Sequence, residues 1–263
     1  MLTEPDAKNL IERFSRLELR YAEQYGPYSQ ARVFFLVEEL VTLRFALLEA
    51  SGAGMELLRQ QRHEVLTRVQ HLYDTASLPE LAPPPVRVFG SNPKIIEFDR
   101  ALYTARYASA AEAMRDEVVY MEQWEPELQS RPHAYMYVVD DQGRMRIWTR
   151  PFRMGDLVLG RNRAKISGVP VAHPMLVPER LQVIAAGEIT PVISGGITSV
   201  VANLKSGHFR PPPSAAAAVR SACAKAIGLD PADCDVLTMP FAASPAAPAT
   251  LDRSETSSAR SRM

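Results

Sequence analysis

Apolar residues recur every three or four positions along the first third of the chain, where they form three stripes. Gly26 and Pro27 separate the first stripe from the second, and a Ser-Gly-Ala-Gly run at 51–54 separates the second from the third. This spacing is typical of amphipathic helices that end at glycine or proline. We therefore expect a helical hairpin or three-helix bundle over residues 1–77, with the stripes facing one another. The stripes are Leu10, Phe14, Leu17 and Tyr21; Val33, Leu36, Val37, Leu40, Val41 and Leu48; and Met55, Leu58, Val65, Leu66, Val69 and Leu72.

Prolines characterise the segment that follows. Five of them fall within residues 78–93, which predicts a stiff, extended connector. Beyond it, apolar residues between Lys94 and Gln123 return to a helical spacing. We expect residues 94–130 to hold a helix that packs on the β-rich part of the chain.

The apolar pattern changes to a period of two from about His133 onwards, which is typical of β-strands. Glycine-containing turns lie between successive β-branched runs, as expected of hairpins. A helical stretch rich in alanine follows and ends at a glycine. The predicted elements are a hairpin at 134–148, a strand at 171–177, a hairpin at 182–204, a helix at 214–227 and a last strand at 234–239.

Together these elements indicate an α+β fold, with an N-terminal helical region followed by an antiparallel β-meander with one C-terminal helix. The antiparallel β-rich domain is expected to cover residues 131–240. Residues 241–263 consist mainly of Ala, Pro, Ser, Thr and Arg and contain almost no large apolar groups. Such a composition predicts a disordered tail.

The charge balance narrows the function classes. Thirty basic and thirty acidic residues cancel, which makes nucleic acid an unlikely partner because phosphate binding favours a basic excess. Charged residues interrupt the most apolar run, at 31–50, so no membrane span is expected. The start of the sequence lacks the pattern of a secretory signal, which favours a cytoplasmic location and leaves signal-independent export open. Cys223 and Cys234 are expected to be reduced thiols rather than a disulfide.

The segment Ser206-Gly207-His208-Phe209-Arg210 places a hydroxyl, an imidazole and a guanidinium next to one another. His208 could act as general acid, general base or anion donor, or it could be a turn histidine that bonds the backbone. Ser206 fits a turn-forming hydroxyl better than a nucleophile, because residues two apart in an extended segment seldom meet. Gly207 would let the backbone approach a ligand, and Arg210 would clamp a phosphate or carboxylate unless it is simply solvated.

Glu188 lies on an otherwise apolar strand, on the same face as Ile184 and Ala186. It is either exposed at the strand end or held in a cleft where its charge is used. His173 precedes Pro174 and is a further candidate for substrate binding. The histidines of the β-rich half and Glu188 could in principle gather round a metal, but their spacing matches no metal motif, so no metal site is predicted.

Arginines crowd the segment between the two hairpins, with Trp148 and Phe152 among them. Such a surface could hold phosphates, a nucleotide or an acidic protein face, and Arg150 is our candidate for a substrate contact. A solvated strand face explains the alternating arginines equally well. The arginines are Arg144, Arg146, Arg150, Arg153, Arg161 and Arg163.

The order of these motifs resembles a segment of bacterial effector and toxin-associated proteins, of the form H-x-x-[FL]…A-G-E…G-x-[IL]…N-x-x-S-G-H-[YF]-x-P. Here the pattern runs from His173-Pro174-Met175-Leu176 through Ala186-Gly187-Glu188 and Asn203 to Ser206–Pro211. The resemblance spans roughly residues 133–213, and the Ser-Gly-His-Phe-Arg-Pro run is its most specific part. It implies a bacterial host and points to Glu188 and His208, and it does not extend to residues 1–130.

Two functional hypotheses follow. The first is a bacterial effector-like enzyme with a pocket beside Ser206-Gly207-His208, acting on a nucleotide-like or protein substrate. His208 would serve as acid/base or anion donor and Glu188 as its carboxylate partner. The strand-borne Glu188 resembles the glutamate of ADP-ribosylating toxins, although the motif order of those transferases is missing from this sequence. The second is a non-catalytic binding module that uses the N-terminal helices and the Arg/Trp face to hold a protein partner. Neither hypothesis identifies a cofactor.

Overall fold

The computed structural model describes residues 1–75, 84–126, 133–153 and 164–238. The α+β class is confirmed: N-terminal helices precede a largely antiparallel sheet and a C-terminal helix. Residues 78–83 of the predicted connector and the predicted tail at 241–263 lie outside the described residues.

Three long helices form the N-terminal part, as the apolar stripes predict. They are α1 (Glu4–Tyr25), α2 (Gln30–Glu49) and α3 (Gly52–Thr75). The side chain of Asp6 accepts a hydrogen bond of 2.9 Å from the Thr3 N–H, and the Ser29 hydroxyl accepts one of 3.2 Å from the Arg32 N–H. These capping interactions fix the starts of α1 and α2, because the first N–H groups of a helix have no partner within it.

Eleven strands lie in the described part of the chain. They are β1 (Val86–Phe89), β2 (Ile95–Phe98), β3 (Val118–Tyr120), β4 (His133–Asp140), β5 (Met145–Trp148), β6 (Phe152–Arg153), β7 (Lys165–Ile166), β8 (Val169–Pro170), β9 (Gln182–Ile193), β10 (Ile197–Asn203) and β11 (Cys234–Leu237). Nine of them form one sheet in the order β1-β2-β9-β4-β5-β3, in which β10 pairs with the later part of β9, β11 pairs with β10, and β6 pairs with β4. All pairs are antiparallel except β10 with β11. A separate small ribbon is formed by β7 and β8.

Both faces of the sheet are covered. On one face, Met136 and Val138 of β4 belong to the same buried cluster as α2 and α3, and we call this the bundle side. On the other face, Tyr137 of β4 and Ile189 of β9 pack with α6 (Ala216–Ile227), and we call this the α6 side. The alternation of side chains along each strand therefore divides the sheet residues between two cores.

Three elements differ from the sequence prediction. Part of the predicted connector, Val86–Phe89, is a strand that pairs with β2, so the sheet begins before residue 131. The expected helix between residues 94 and 123 is wrong: the segment contains β2, the short helices α4 (Arg100–Arg106) and α5 (Ala108–Ala113), and β3. Its β-branched ends pair with β9 and β5, while the Asp99 side chain accepts a hydrogen bond of 2.7 Å from the Leu102 N–H and starts a new helix.

The expected strand at 171–177 is also wrong. His173–Leu176 forms a buried 3-10 helix, with Pro174 in its first turn. Proline has no N–H to donate to a strand ladder, but it is tolerated in the first turn of a helix.

The other elements of the β-rich part form where the pattern predicts them. Both hairpins are present, and α6 ends at Gly228, whose φ of 69° places it in the left-handed region that favours glycine. Within the described ranges, the structure contains no helix of sufficient length and apolarity to cross a membrane.

Candidate functional site

Glu188 lies in the middle of the molecule, on the bundle side of β9. It is only 6% exposed, and its cross-strand neighbour on β4 is Met136. The alternative of an exposed strand end is therefore wrong. Its Oε2 atom has no hydrogen-bond partner among the described residues. Burial raises the pKa of this carboxyl to about 7, although the charge of Lys205 and the side chain of Asn203 lower it in part.

Asn203, the last residue of β10, fixes the backbone beside Glu188. Its Oδ1 accepts hydrogen bonds from the N–H of Glu188 at 3.2 Å and from the N–H of Lys205 at 2.9 Å. Its carbonyl oxygen accepts a bond of 2.8 Å from the Tyr137 hydroxyl. A Cβ atom on Gly187 would lie 2.0 Å from that carbonyl oxygen. The glycine before Glu188 is therefore required by the close approach of two backbones.

His173 contacts the same glycine, Gly187, and is almost fully buried. Its Nε2 donates a hydrogen bond of 3.1 Å to the Gly187 carbonyl, which leaves Nδ1 of the neutral ring as an acceptor. Burial, and then the nearby charge of His208, lower the pKa of His173 to about 3. The ring is therefore neutral under physiological conditions.

His208 is half-buried in a group of aromatic rings. Its Nε2 is 3.2 Å from the Tyr107 hydroxyl, and its ring makes edge contacts with Tyr107 and Phe98. Burial lowers the pKa of His208. Among the described residues, no hydrogen bond or ion pair joins Glu188 to His208 directly. The charge of His208 acts on His173, which bonds the carbonyl of Gly187, the residue before Glu188. We call Glu188, His173, His208, Tyr107 and Asn203 the Glu188 cluster.

The hydroxyl of Ser206 forms a turn, as the more favoured interpretation of the sequence has it. It is fully buried and accepts a hydrogen bond of 3.3 Å from the Phe209 N–H, while its carbonyl accepts one of 2.8 Å from the Arg210 N–H. Arg210 takes a left-handed φ of 48° at the end of this turn. Gly207 is exposed, and a Cβ atom there would meet nothing within 4 Å. The fold therefore does not require a glycine at this position.

Arg150 belongs to a different part of the surface. It pairs with Glu117, whose other carboxylate oxygen accepts a hydrogen bond of 2.9 Å from the Trp148 indole N–H. Trp148 is 2% exposed, so the expectation that it contributes to an open Arg/Trp contact face is wrong. Arg144 bonds the Tyr120 hydroxyl at 2.7 Å. The side chains of Arg153, Arg161 and Arg163 lie outside the described residues.

Sequence reasoning missed Tyr107 and gave no role to Asn203. Tyr107 lies at the junction of α4 and α5, 101 residues from His208, and no local pattern connects the two. Asn203 was part of the quoted motif, and its place between β10 and the Ser206 turn is the signal that could have identified it. Among the described residues, no three His, Cys, Asp or Glu side chains are grouped so that they could hold a metal ion.

Searches of protein-family models, of curated proteins and of solved structures find no match for this chain.

Proposed function

We propose that the chain is a bacterial effector-like enzyme that uses Glu188 for proton transfer. The observation that supports this most directly is the buried Oε2 of Glu188, which has no partner among the described residues. A buried carboxyl oxygen without a hydrogen bond is costly for the fold, and such costs are concentrated at functional sites. With a pKa of about 7, this carboxyl is divided between its two protonation states at neutral pH, as suits a general acid or base.

The two histidines would position the substrate beside this carboxyl. His173 is held by the Gly187 carbonyl and is neutral, so its Nδ1 could accept a hydrogen bond from the reacting group. His208, which contacts Tyr107, would contact the substrate from the Ser206-Gly207-His208 turn. Arg210 would bind a phosphate or carboxylate of the substrate. We assign no role to Arg150 or Ser206, because their contacts account for them.

The substrate class and the cellular setting belong to the same proposal. A nucleotide-like molecule or a protein side chain with a hydroxyl or amide proton fits an acid/base carboxyl. The resemblance of residues 133–213 to effector and toxin-associated proteins supports a bacterial source. The cytoplasm, with export by a route that needs no signal peptide, is the proposed location.

Two measurements on the full chain test the enzyme proposal. The first is growth of bacterial or yeast cells that express it, and the second is the melting temperature in the presence of individual nucleotides. We expect growth inhibition by the wild type, and a higher melting temperature with any nucleotide that binds the native state. Glu188→Gln should abolish the growth effect while the protein stays folded, because the amide cannot transfer the proton. His208→Ala should weaken the growth effect.

Glu122→Gln and His63→Ala are matched controls, because both residues are exposed and lie outside the Glu188 cluster. They should behave like the wild type. The proposal fails if Glu188→Gln and His208→Ala both inhibit growth as the wild type does.

A protein-binding role remains a second candidate, because the helical part exposes large apolar residues. A protein partner that covers them would remove this apolar surface from water. In that case the Glu188 and His208 variants would retain partner binding, and substitutions on the helices would abolish it. The exposed residues are Leu19, Tyr25, Tyr28, Phe45 and Leu48.

A further inference from the structure

A groove of about 720 Å³ lies between α6 and the loops at the nearer end of the sheet. Ile184 and Ala215 line it, and both belong to the core on the α6 side. Glu188 lies on the bundle side, with Met136 as its neighbour. The groove is therefore separated from the Glu188 cluster by the sheet itself, and its function is independent of the proposed reaction.

One wall of the groove is a single face of α6 and of the turn before it. Its residues recur every three or four positions and, apart from the lysine, have small side chains, which leaves room for the groove. The loop that precedes β2 and the turn between β4 and β5 also line the groove. The residues of the helix wall are Ser214, Ala217, Ala218, Ser221 and Lys225.

The groove carries positive charge. Lys94 on one wall and Lys225 on the other form no ion pair with any described residue. The carboxylate that also lines the groove, Asp141, is neutralised by Arg180 at 3.0 Å. An anion is the ligand that this combination favours.

The dimensions fit a small molecule with phosphate groups. From Ser214 to Lys225 the helix rises roughly 16 Å, and the volume is that of a typical small-molecule site. The hydroxyls of Ser91, Ser214 and Ser221 can donate hydrogen bonds to phosphate oxygens, and the described residues of the groove include no aromatic ring on which a base could stack. We infer that the groove is a second ligand site, which binds a phosphorylated small molecule through Lys94, Lys225 and these serine hydroxyls.

Isothermal titration calorimetry of the full chain with tripolyphosphate and with ATP, at low ionic strength, tests the inference. Both probes should bind with similar affinity, because the phosphates and not the base are recognised. The double variant Lys94→Ala/Lys225→Ala should lose about tenfold or more in affinity. Ser221→Leu should also weaken binding, because it fills the groove without changing its charge.

Lys8→Ala/Lys165→Ala is the matched control, since it removes two exposed lysines that do not line the groove. It should bind like the wild type, and so should Glu188→Gln. The inference is overturned if the wild type binds neither probe, if the Lys94/Lys225 variant retains full affinity, or if Glu188→Gln alone abolishes binding. The last result would place the phosphates in the Glu188 cluster and leave the enzyme proposal standing.

Discussion

At the scale of single residues, the site is shaped by what burial does to ionisable groups. Moving a carboxyl from water to the boundary between sheet and bundle penalises its charged form, and for Glu188 this raises the pKa. The same effect lowers the pKa of the His173 ring, because its charged form is the protonated one. Glu188 and His173 therefore both remain uncharged in slightly acidic solution, and only Glu188 begins to ionise near neutrality.

The first prediction concerns the pH dependence of stability. In the unfolded chain Glu188 ionises near its ordinary pKa of 4.5, whereas in the folded protein it stays protonated up to about 7. The contribution of Glu188 to the stability of the wild type is therefore lost as pH rises through this window, and the loss is complete above the folded pKa. Glu188→Gln removes this loss. Relative to the wild type, the variant should gain about 3 kcal/mol in the free energy of unfolding between acidic and mildly alkaline pH.

Urea unfolding of both proteins at pH values below and above this window measures the difference. Taking the difference cancels the opposite contribution of His173, whose stabilising neutral form is lost as pH falls. Glu122→Gln, at an exposed position, should show the pH dependence of the wild type. Parallel curves for wild type and Glu188→Gln would show that the carboxyl is not held in its neutral form.

The second prediction concerns the two thiols. Cys223 on α6 and Cys234 on β11 are both buried, with their Sγ atoms 4.0 Å apart, well beyond disulfide bonding distance. The hydrogen bond from Cys234 and burial both raise the pKa of the Cys223 thiol. Since the thiolate is the reactive form, we expect little reaction of the folded protein with an aromatic disulfide reagent, and reaction of both thiols after unfolding in urea. Rapid release of the coloured thiol from the folded protein would contradict this.

At the scale of elements, the sequence predicted correctly those strands and helices whose ends are marked by nearby turn residues or glycines. The two hairpins and α6 have turn residues or a terminal glycine within a few positions of their ends. Residues 118–120 have no such signal and become a strand because β5 pairs with them, whereas residues 95–98 follow the turn at Gly90–Pro93 and pair with both β1 and β9. The motif made Glu188 and His208 candidates, but the contact of His208 with Tyr107 arises from tertiary packing.

The third prediction concerns the close approach of the β9 backbone at Gly187 to the end of β10. Alanine at position 187 would place its Cβ 2.0 Å from the Asn203 carbonyl oxygen, and both groups belong to backbones that cannot rotate away. Gly187→Ala should therefore lower the free energy of unfolding by about 2 kcal/mol or more. Gly207→Ala is the control: its Cβ meets nothing, and the change should stay within about 0.5 kcal/mol. Equal stabilities of the two variants in urea unfolding would disprove the close approach.

At the scale of the whole molecule, a buried ionic network joins the helical bundle to the sheet. Asp235 of β11 accepts hydrogen bonds from Arg44 of α2 at 2.9 Å and from Arg62 of α3 at 2.7 Å. Burial alone would raise the pKa of Asp235, but the hydrogen bonds and charges of Arg62 and Arg44 outweigh it and lower the pKa. The network makes the position of the bundle on the sheet specific, since each buried charge requires its partner.

The fourth prediction follows from that requirement. Asp235→Asn leaves Arg44, which is 4% exposed, with Asp233 as its remaining ion-pair partner, and that carboxylate is half exposed. Removing one partner of a buried pair costs about 3–5 kcal/mol, and because Asp233 stays in place, urea unfolding should show a loss near the lower end, about 3 kcal/mol. Glu56→Gln breaks an exposed pair with Arg59 and should cost less than about 0.5 kcal/mol. A loss for Asp235→Asn as small as that of the control would mean that water reaches the network.

The last prediction concerns cooperativity. The bundle and the sheet share one buried cluster, in which Leu36, Leu40 and Val65 pack with Met136 and Val138. Neither part could unfold alone without exposing the apolar surface and the buried charges of the other, so the described chain should unfold in one step.

The protein offers separate probes of its two parts. Its two tryptophans, Trp124 and Trp148, both lie buried in the β-rich part, whereas far-ultraviolet circular dichroism is dominated by the helices. The urea transitions recorded by tryptophan fluorescence and by circular dichroism should coincide in the wild type. Asp235→Asn should move both to lower urea concentration together, and two separate midpoints in the wild type would show that the bundle and the sheet are independent domains.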